Sequence, residues 1–260
     1  MSHASRLGIL GGGQLGRMSA MAAARLGIST HIYAPGADCP AAQVAARHFD
    51  AAYDDWQSLR AFAESVDVIT YEFENIPVET LRYLKQYKHV YPDETLLATA
   101  QNRITEKQHF TSLDIPVTPW DQIDNAQDVE NFMRRHNIDR SIIKTARFGY
   151  DGKGQIDLDP DTNLKHAVSE LGTGPKIVEK PVDLAAEISV IAARDKLGQI
   201  VCYDPPLNEH KDHILSRSTV PCTLDEGQQD EARNMARRLA EAVDLVGVFG
   251  LEFFVTNNGE

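Results

Sequence analysis

The sequence predicts an α/β fold in two parts: a parallel, doubly wound sheet over residues 1–95 and an α+β region over residues 96–260. In the first part, short apolar runs alternate with helical segments, and a glycine-rich turn joins the first such pair. From Ser141 the character changes, and short strands dominate.

Arg6–Leu10 reads as a buried strand, Gly11–Gly13 as a turn, and Gln14–Leu26 as a helix rich in Ala and Met. Ser29–Tyr33 is the second strand, stopped by Ala34-Pro35-Gly36. An Ala-rich helix is expected around Pro40–Arg47, a further helix at Asp54–Ser65 and a strand at Asp67–Tyr71. Ile76–Gln86 is a helix whose first turn tolerates Pro77, because no intrahelical N–H bond is lost there. His89–Tyr91 completes the unit as a short strand, and the alternation is that of a Rossmann-like domain.

Glu94–Leu113 is largely helical and ends at Asp114-Ile115-Pro116, and Asn125–His136 is another helix. Strands are expected at Ser141–Lys144, Gly154–Leu158, Lys176–Val182, Glu187–Arg194, Ile200–Tyr203 and Leu215–Val220, with a helix at Asp161–Leu171 among them. A long helix, Glu226–Asp244, carries Met235, Leu239, Ala242 and Val246 along one face and leads into a last strand, Gly250–Val255.

A net charge of −12 argues against a nucleic-acid surface, since phosphate backbones would be repelled. No apolar run approaches the roughly 18–20 residues that span a bilayer. Cys39, Cys202 and Cys222 are widely spaced and form no Cys-x-x-Cys pair, which speaks against a disulfide framework or zinc site and for a reducing compartment. Met1–Arg6 lacks the shape of a signal peptide, so a soluble cytoplasmic protein is expected.

Gly11-Gly12-Gly13-Gln14-Leu15-Gly16 satisfies G-x-G-x-x-G between a strand and a helix, so its amides suit a phosphate. A dinucleotide would also require an acidic residue at the end of the second strand, where Ala34-Pro35 stands instead. In Tyr71-Glu72-Phe73-Glu74-Asn75, at the ligand-binding edge of a parallel sheet, the two carboxylates alternate, so only one can face a given ligand. Further along, the strand Ile142–Lys144 delivers a lysine into a glycine-rich segment flanked by Arg147 and Lys153, a pattern distinct from the P-loop but suited to phosphate oxygens. Lys176–Val182 is an apolar strand breaking into Glu179-Lys180-Pro181. Glu187 and Glu252 each interrupt an apolar strand and call for a partner, a proton or a metal.

This order of motifs resembles the ATP-grasp superfamily. Within it, Gly11–Arg17, Tyr71–Asn75 and Phe148–Gln155 look like the N5-carboxyaminoimidazole ribonucleotide synthetases, and the likeness runs over essentially the whole chain. The resemblance implies an ATP-dependent carbon–nitrogen ligase that carboxylates 5-aminoimidazole ribonucleotide with bicarbonate, using ATP and Mg2+ in purine biosynthesis. It implies a Rossmann-like domain followed by ATP-grasp α+β domains, with a small lid over about 117–183 and the start of a larger subdomain at 184–260. Arg103 and Lys144 would contact phosphates, and Gly149, Tyr150, Asp151, Gly152, Lys153, Gly154 and Gln155 would close over them. Glu179, Lys180, Pro181 and Val182 would hold the adenine, Glu187 the ribose hydroxyls, and His210 the nucleotide side. Glu252 would ligate magnesium, Gln14, Leu15 and Glu74 would face the ribonucleotide, and Tyr150 would lie near its reacting end, with Lys144, Tyr150 and Glu252 as the catalytic set. A homodimer and a hand-off of product to a mutase are further implications. Family members carry a C-terminal extension with more magnesium and phosphate ligands, so a chain ending at Glu260 is expected to have a half-built metal site. Open alternatives are another ATP-grasp ligase with a different acceptor, a dinucleotide-dependent oxidoreductase, and a non-catalytic nucleotide-binding subunit.

Overall fold

The computed structural model describes residues 5–147, 154–211 and 214–259. The chain forms two compact units, Met1–Ala98 and Thr99–Glu260.

The first unit is built on β1 (Arg6–Leu10), β2 (Ser29–Tyr33), β3 (Arg47–Phe49) and β4 (Val68–Tyr71). They pair in parallel in the order β3-β2-β1-β4. The connecting helices are α1 (Gln14–Arg25), α2 (Trp56–Ser65) and α3 (Val78–Leu84). Both faces of the sheet are covered, which is why β1 reads as a nearly continuous apolar run from Leu7 to Leu10. Leu10, Tyr33 and Ile69 pack with Leu59 and Phe62 of α2 and Leu81 and Leu84 of α3, while Ile9 and Ile32 pack with Ala20 of α1 on the other side.

Two expectations for this unit are corrected. The Ala-rich stretch 40–47 is not a helix but a 3-10 turn, Ala42–Val44, followed by β3. Ala41 is fully buried beside the glycine turn, its amide bonded to the Gly12 carbonyl, so this alanine serves close approach and not helix propensity. The strand expected at His89–Tyr91 shrinks to a single parallel bridge between Val90 and Ile69.

The division between units falls in α4 (Glu94–Ala100), and the second unit continues with α5 (Arg103–Ser112). Its first sheet comprises β5 (Trp120–Ile123), β6 (Ser141–Thr145), β7 (Gln155–Leu158) and β8 (Lys176–Glu179), antiparallel in the order β5-β8-β6-β7. β5 was not expected, being a short edge strand of mixed polarity. Helices α6 (Ala126–His136) and α7 (Leu164–Glu170) cover one face, with Val129, Phe132, Ala167 and Val168 on Ile143 and Val178. Asn125 and Asp128 form a reciprocal capping box on α6, and Asn137 closes the helix in the left-handed conformation.

The second sheet is centred on β9 (Leu184–Arg194). Along one edge runs β13 (Gly247–Thr256); the other edge carries β10 (Ile200–Cys202) and β11 (Leu207–Lys211), with β12 (Ile214–Thr219) outside β11. β11 was not expected because Leu-Asn-Glu-His-Lys has almost no apolar signal; its pairing with β9 defines it. Helix α8 (Glu226–Ala242) packs Ala232, Ala236 and Leu239 on Ile188, Val190, Ala192, Leu251 and Val255. Ala242, expected on the packed face, is exposed, so the buried stripe is rotated from the one anticipated.

Phe62 is fully buried against Tyr33 and Phe49, with ring centroids 5.4 and 5.5 Å away. Phe62→Ala is expected to destabilise the first unit by about 3–5 kcal/mol, measured by urea unfolding; a loss under about 1 kcal/mol would show that this ring does not hold α2 to the sheet.

Candidate functional site

In the first unit the glycine turn receives an anion from the chain itself. Glu72, one residue past β4, turns its carboxylate into the turn, where Oε1 accepts from the Gly13 amide at 2.7 Å and Oε2 from the Gly16 amide at 3.2 Å. The fit demands glycine: a Cβ on Gly11, whose φ is +110°, would lie 2.3 Å from the Glu72 Cγ, and one on Gly16 would lie 2.9 Å from the Gly11 carbonyl oxygen. Two amides read in the sequence as a phosphate cradle are therefore occupied by a carboxylate. Gln14 and Leu15, on the first turn of α1, are exposed, as is Glu74.

In the second unit the chemistry gathers on the sheet faces opposite the packed helices. β6 sets Lys144 opposite Ile177, and β8 sets Glu179 opposite Ile142, which places the two side chains diagonally on one face. Lys144 Nζ lies 2.6 Å from Glu179 Oε2, and Lys107 Nζ of α5 lies 2.9 Å from Oε1. All three side chains are largely buried; that of Glu179 is 6% exposed. Burial pushes the Glu179 carboxyl up, but the charges of Lys144 and Lys107 and their hydrogen bonds outweigh it and hold the group below its ordinary range.

Around this cluster, Gln155 pairs with Lys144 across β7, and the carbonyl of Gly154, a residue at φ +72°, accepts the Thr145 amide at 2.8 Å. Arg103 opens α5 with its amide donating to the Ala146 carbonyl at 2.9 Å. Gly149, Tyr150, Asp151, Gly152 and Lys153 lie outside the described residues. The Lys180 amide donates to the Pro119 carbonyl at 3.0 Å, and its carbonyl accepts the Thr118 hydroxyl at 2.8 Å. Pro181 and Val182 follow, half-buried, at the strand exit.

The other sheet leaves one face open. Register puts Glu187 opposite Phe254 and Ser189 opposite Glu252, so Glu187 and Glu252 share that face with the exposed Ile191 and Phe254. Across the neighbouring strand, His210 Nδ1 lies 2.5 Å from Glu187 Oε2, bringing two expected nucleotide-side residues together. Asn208 Nδ2 donates to Ser189 Oγ at 3.0 Å, and Ser218 donates to Asn208 Oδ1 at 2.8 Å. The demand for a partner read from Glu252 interrupting an apolar strand is corrected: alternation along β13 sends Leu251 and Val255 inward and Glu252 outward to solvent. Among the described residues no three His, Cys, Asp or Glu side chains group as a metal site. A single exposed carboxylate still fits magnesium, which typically takes one or two carboxylates and completes its shell with phosphates and water.

Sequence reasoning missed Lys107 and the role of Glu72. Lys107 lies four residues after Arg103 on one helix, a spacing that places both on one face and was the available signal. Glu72 had none, because its partner amides are 56 and 59 residues away.

The ribonucleotide synthetase preATP-grasp domain family matches residues 4–101, and the ATP-grasp domain family matches residues 108–260. The N5-carboxyaminoimidazole ribonucleotide synthase of Brucella melitensis is 45% identical over 257 residues, which cover 98% of this chain and 71% of that protein. The N5-carboxyaminoimidazole synthetase structure from Staphylococcus aureus complexed with ADP is 30% identical with a TM-score of 0.92, covering 100% of this chain and 69% of that one. The N5-carboxyaminoimidazole ribonucleotide synthetase structure from Thermus thermophilus is 35% identical with a TM-score of 0.90, covering 97% and 68%.

Glu179 has a folded pKa below its ordinary value of 4.5, so its contribution to stability is present above that value and is lost as pH falls through it toward the lowered one. Thermal melts from neutral pH to about pH 3 are expected to fall more steeply for the unmodified chain than for Glu179→Gln. Parallel curves would contradict the assignment.

Proposed function

The chain belongs to the ATP-grasp family and, within it, to the N5-carboxyaminoimidazole ribonucleotide synthases, and from that premise we propose how its residues carry the reaction. It is an ATP-dependent ligase that carboxylates 5-aminoimidazole ribonucleotide in purine biosynthesis. Bicarbonate oxygen attacks the γ-phosphorus of ATP, releasing ADP and forming carboxyphosphate. The exocyclic amine of the ribonucleotide then attacks the carboxyl carbon, phosphate leaves with the bonding pair, and the nitrogen gives up a proton. Phosphorylation is required because the carboxyl carbon of bicarbonate is shielded by charge and lacks a leaving group.

The observation that carries this reading is Lys144, a largely buried cation beside Ile142 and Ile143 on β6, held 2.6 Å from the enclosed Glu179 carboxylate. The protein's part is positioning and charge neutralisation. Lys144 and Arg103 receive phosphate oxygens, and the Gly149–Gln155 motif is assigned by resemblance to the same phosphates; exclusion of water matters because the intermediate is labile. Residues 117–183 act as the lid and 184–260 as the start of the larger subdomain. Glu179 and the Pro181–Val182 backbone take the base, and the Glu187–His210 pair takes the ribose hydroxyls through the carboxylate. Magnesium, when bound, neutralises and orients the phosphates, and Glu252 is the residue of this chain that would hold it. Gln14, Leu15 and Glu74 face the ribonucleotide; its phosphate does not use the Gly13 and Gly16 amides, which Glu72 fills. Tyr150 is assigned to the reacting amine by its place in the motif alone.

ADP release in the presence of the ribonucleotide tests the reading. It is expected to require bicarbonate, to fail with formate, and to fall at least about a hundredfold in Lys144→Ala. Equal rates with formate would indicate a different acceptor chemistry, and an unchanged rate in the variant would remove Lys144 from the mechanism.

A further inference from the structure

Two lysines grip different oxygens of one carboxylate, Lys144 on Oε2 and Lys107 on Oε1, and the reading above gives work to only one of them. A triphosphate oxygen competes with Glu179 for the Lys144 charge, so nucleotide binding weakens its hold on Oε2. Glu179 stays nearly enclosed, and a buried carboxylate without a cation either takes up a proton or loses its place. Lys107 is the cation that remains. It is anchored on a helix, 13% exposed, and pinned 2.9 Å from the oxygen that Lys144 does not touch.

The oxygen released by Lys144 has a consequence for base recognition. An ionised carboxylate only accepts hydrogen bonds. At the exit of β8 it suits a purine presenting an exocyclic amine, such as adenine, and repels one presenting a carbonyl oxygen at that position, such as guanine. The Lys180 amide is committed to the Pro119 carbonyl and its carbonyl already accepts the Thr118 hydroxyl, which leaves the ionised Glu179 oxygen as the stronger acceptor at this exit. We propose that Lys107 is a positioning residue that keeps Glu179 ionised and in place once Lys144 has turned to phosphate, and so sets a preference for amino-purine over oxo-purine nucleotides. The proposal rests on the nucleotide reading above and adds to it a residue and a selectivity.

Calorimetric titration of ADP and GDP into the unmodified chain, Lys107→Met, Lys107→Arg, Glu179→Gln and the Lys107→Met/Glu179→Gln double variant tests it. Lys107→Met keeps the aliphatic stem and is expected to lose at least about tenfold in ADP affinity while GDP affinity changes far less, so the ADP-to-GDP ratio falls. Lys107→Arg is expected to stay within about threefold of the unmodified chain. In the Glu179→Gln background, Lys107→Met is expected to change ADP affinity less than about twofold, because the coupled partner is gone. Unchanged ADP affinity in Lys107→Met, an equal loss for ADP and GDP, or the same loss in the Glu179→Gln background would each overturn the proposal. Should Lys107→Met alone fail to fold, the double variant, which leaves no carboxylate stranded without its cation, decides the matter. A glutamine can accept or donate, so its ADP-to-GDP ratio is expected to collapse toward one, and a ratio as high as that of the unmodified chain overturns the proposal. An unmodified chain that binds neither nucleotide contradicts the nucleotide reading itself and this inference with it, an outcome distinct from one in which ADP binds and Lys107 proves indifferent.

Discussion

A carboxylate shut away from water must keep a cation beside it, and in the second unit that constraint organises the candidate nucleotide site. Glu179 ends the buried strand β8 on the face it shares with Ile177 and, across the register, Ile142, where an unpaired charge would cost several kcal/mol. Lys144 reaches it from the neighbouring strand and Lys107 from α5, so one ionised group ties three elements together. The arrangement also keeps Lys144 neutralised, so a largely buried cation is not stranded.

The first unit meets a related problem from the other side. A helix N-terminus collects unsatisfied amides, and a glycine turn exposes them further. Glu72 closes that site from within the chain, across the end of the sheet, while Glu74 two residues on remains at the surface. A turn that resembles a dinucleotide cradle in sequence is thereby turned to presenting the side chains that follow it, Gln14 and Leu15. The close packing of Gly11, Gly12 and Gly16 against Glu72, Cys39 and Ala41 explains why the turn is so rich in glycine.

Much of the fold was legible locally. The parallel sheet, its helices and the strand-rich second half follow from periodicity, and the misses have a common cause. β5 and β11 are short and polar because they lie at an edge or pair through only a few residues, so backbone pairing defines them more than burial does. The alanines near residue 42 misled in the opposite direction: small side chains there answer a packing demand from the glycine turn. Lys144, Glu179 and Glu187 were singled out by motif and His210 by resemblance, and the structure pairs Lys144 with Glu179 and His210 with Glu187, whereas Lys107 and the clamp of Glu72 on the loop were not legible.

By itself the sequence determined the alternation of elements, the glycine turns and which residue types carry charge onto apolar strands, because these depend on neighbours a few positions away. Only the tertiary structure decided which charges meet: that Glu179 is shared by two lysines, that His210 sits on Glu187, and that Glu252 faces outward and not into the core. Strand register and helix docking join residues tens of positions apart, and a change of one residue in register sends a side chain to the other face of a sheet. That geometry is a property of the packed whole, and local pattern does not contain it.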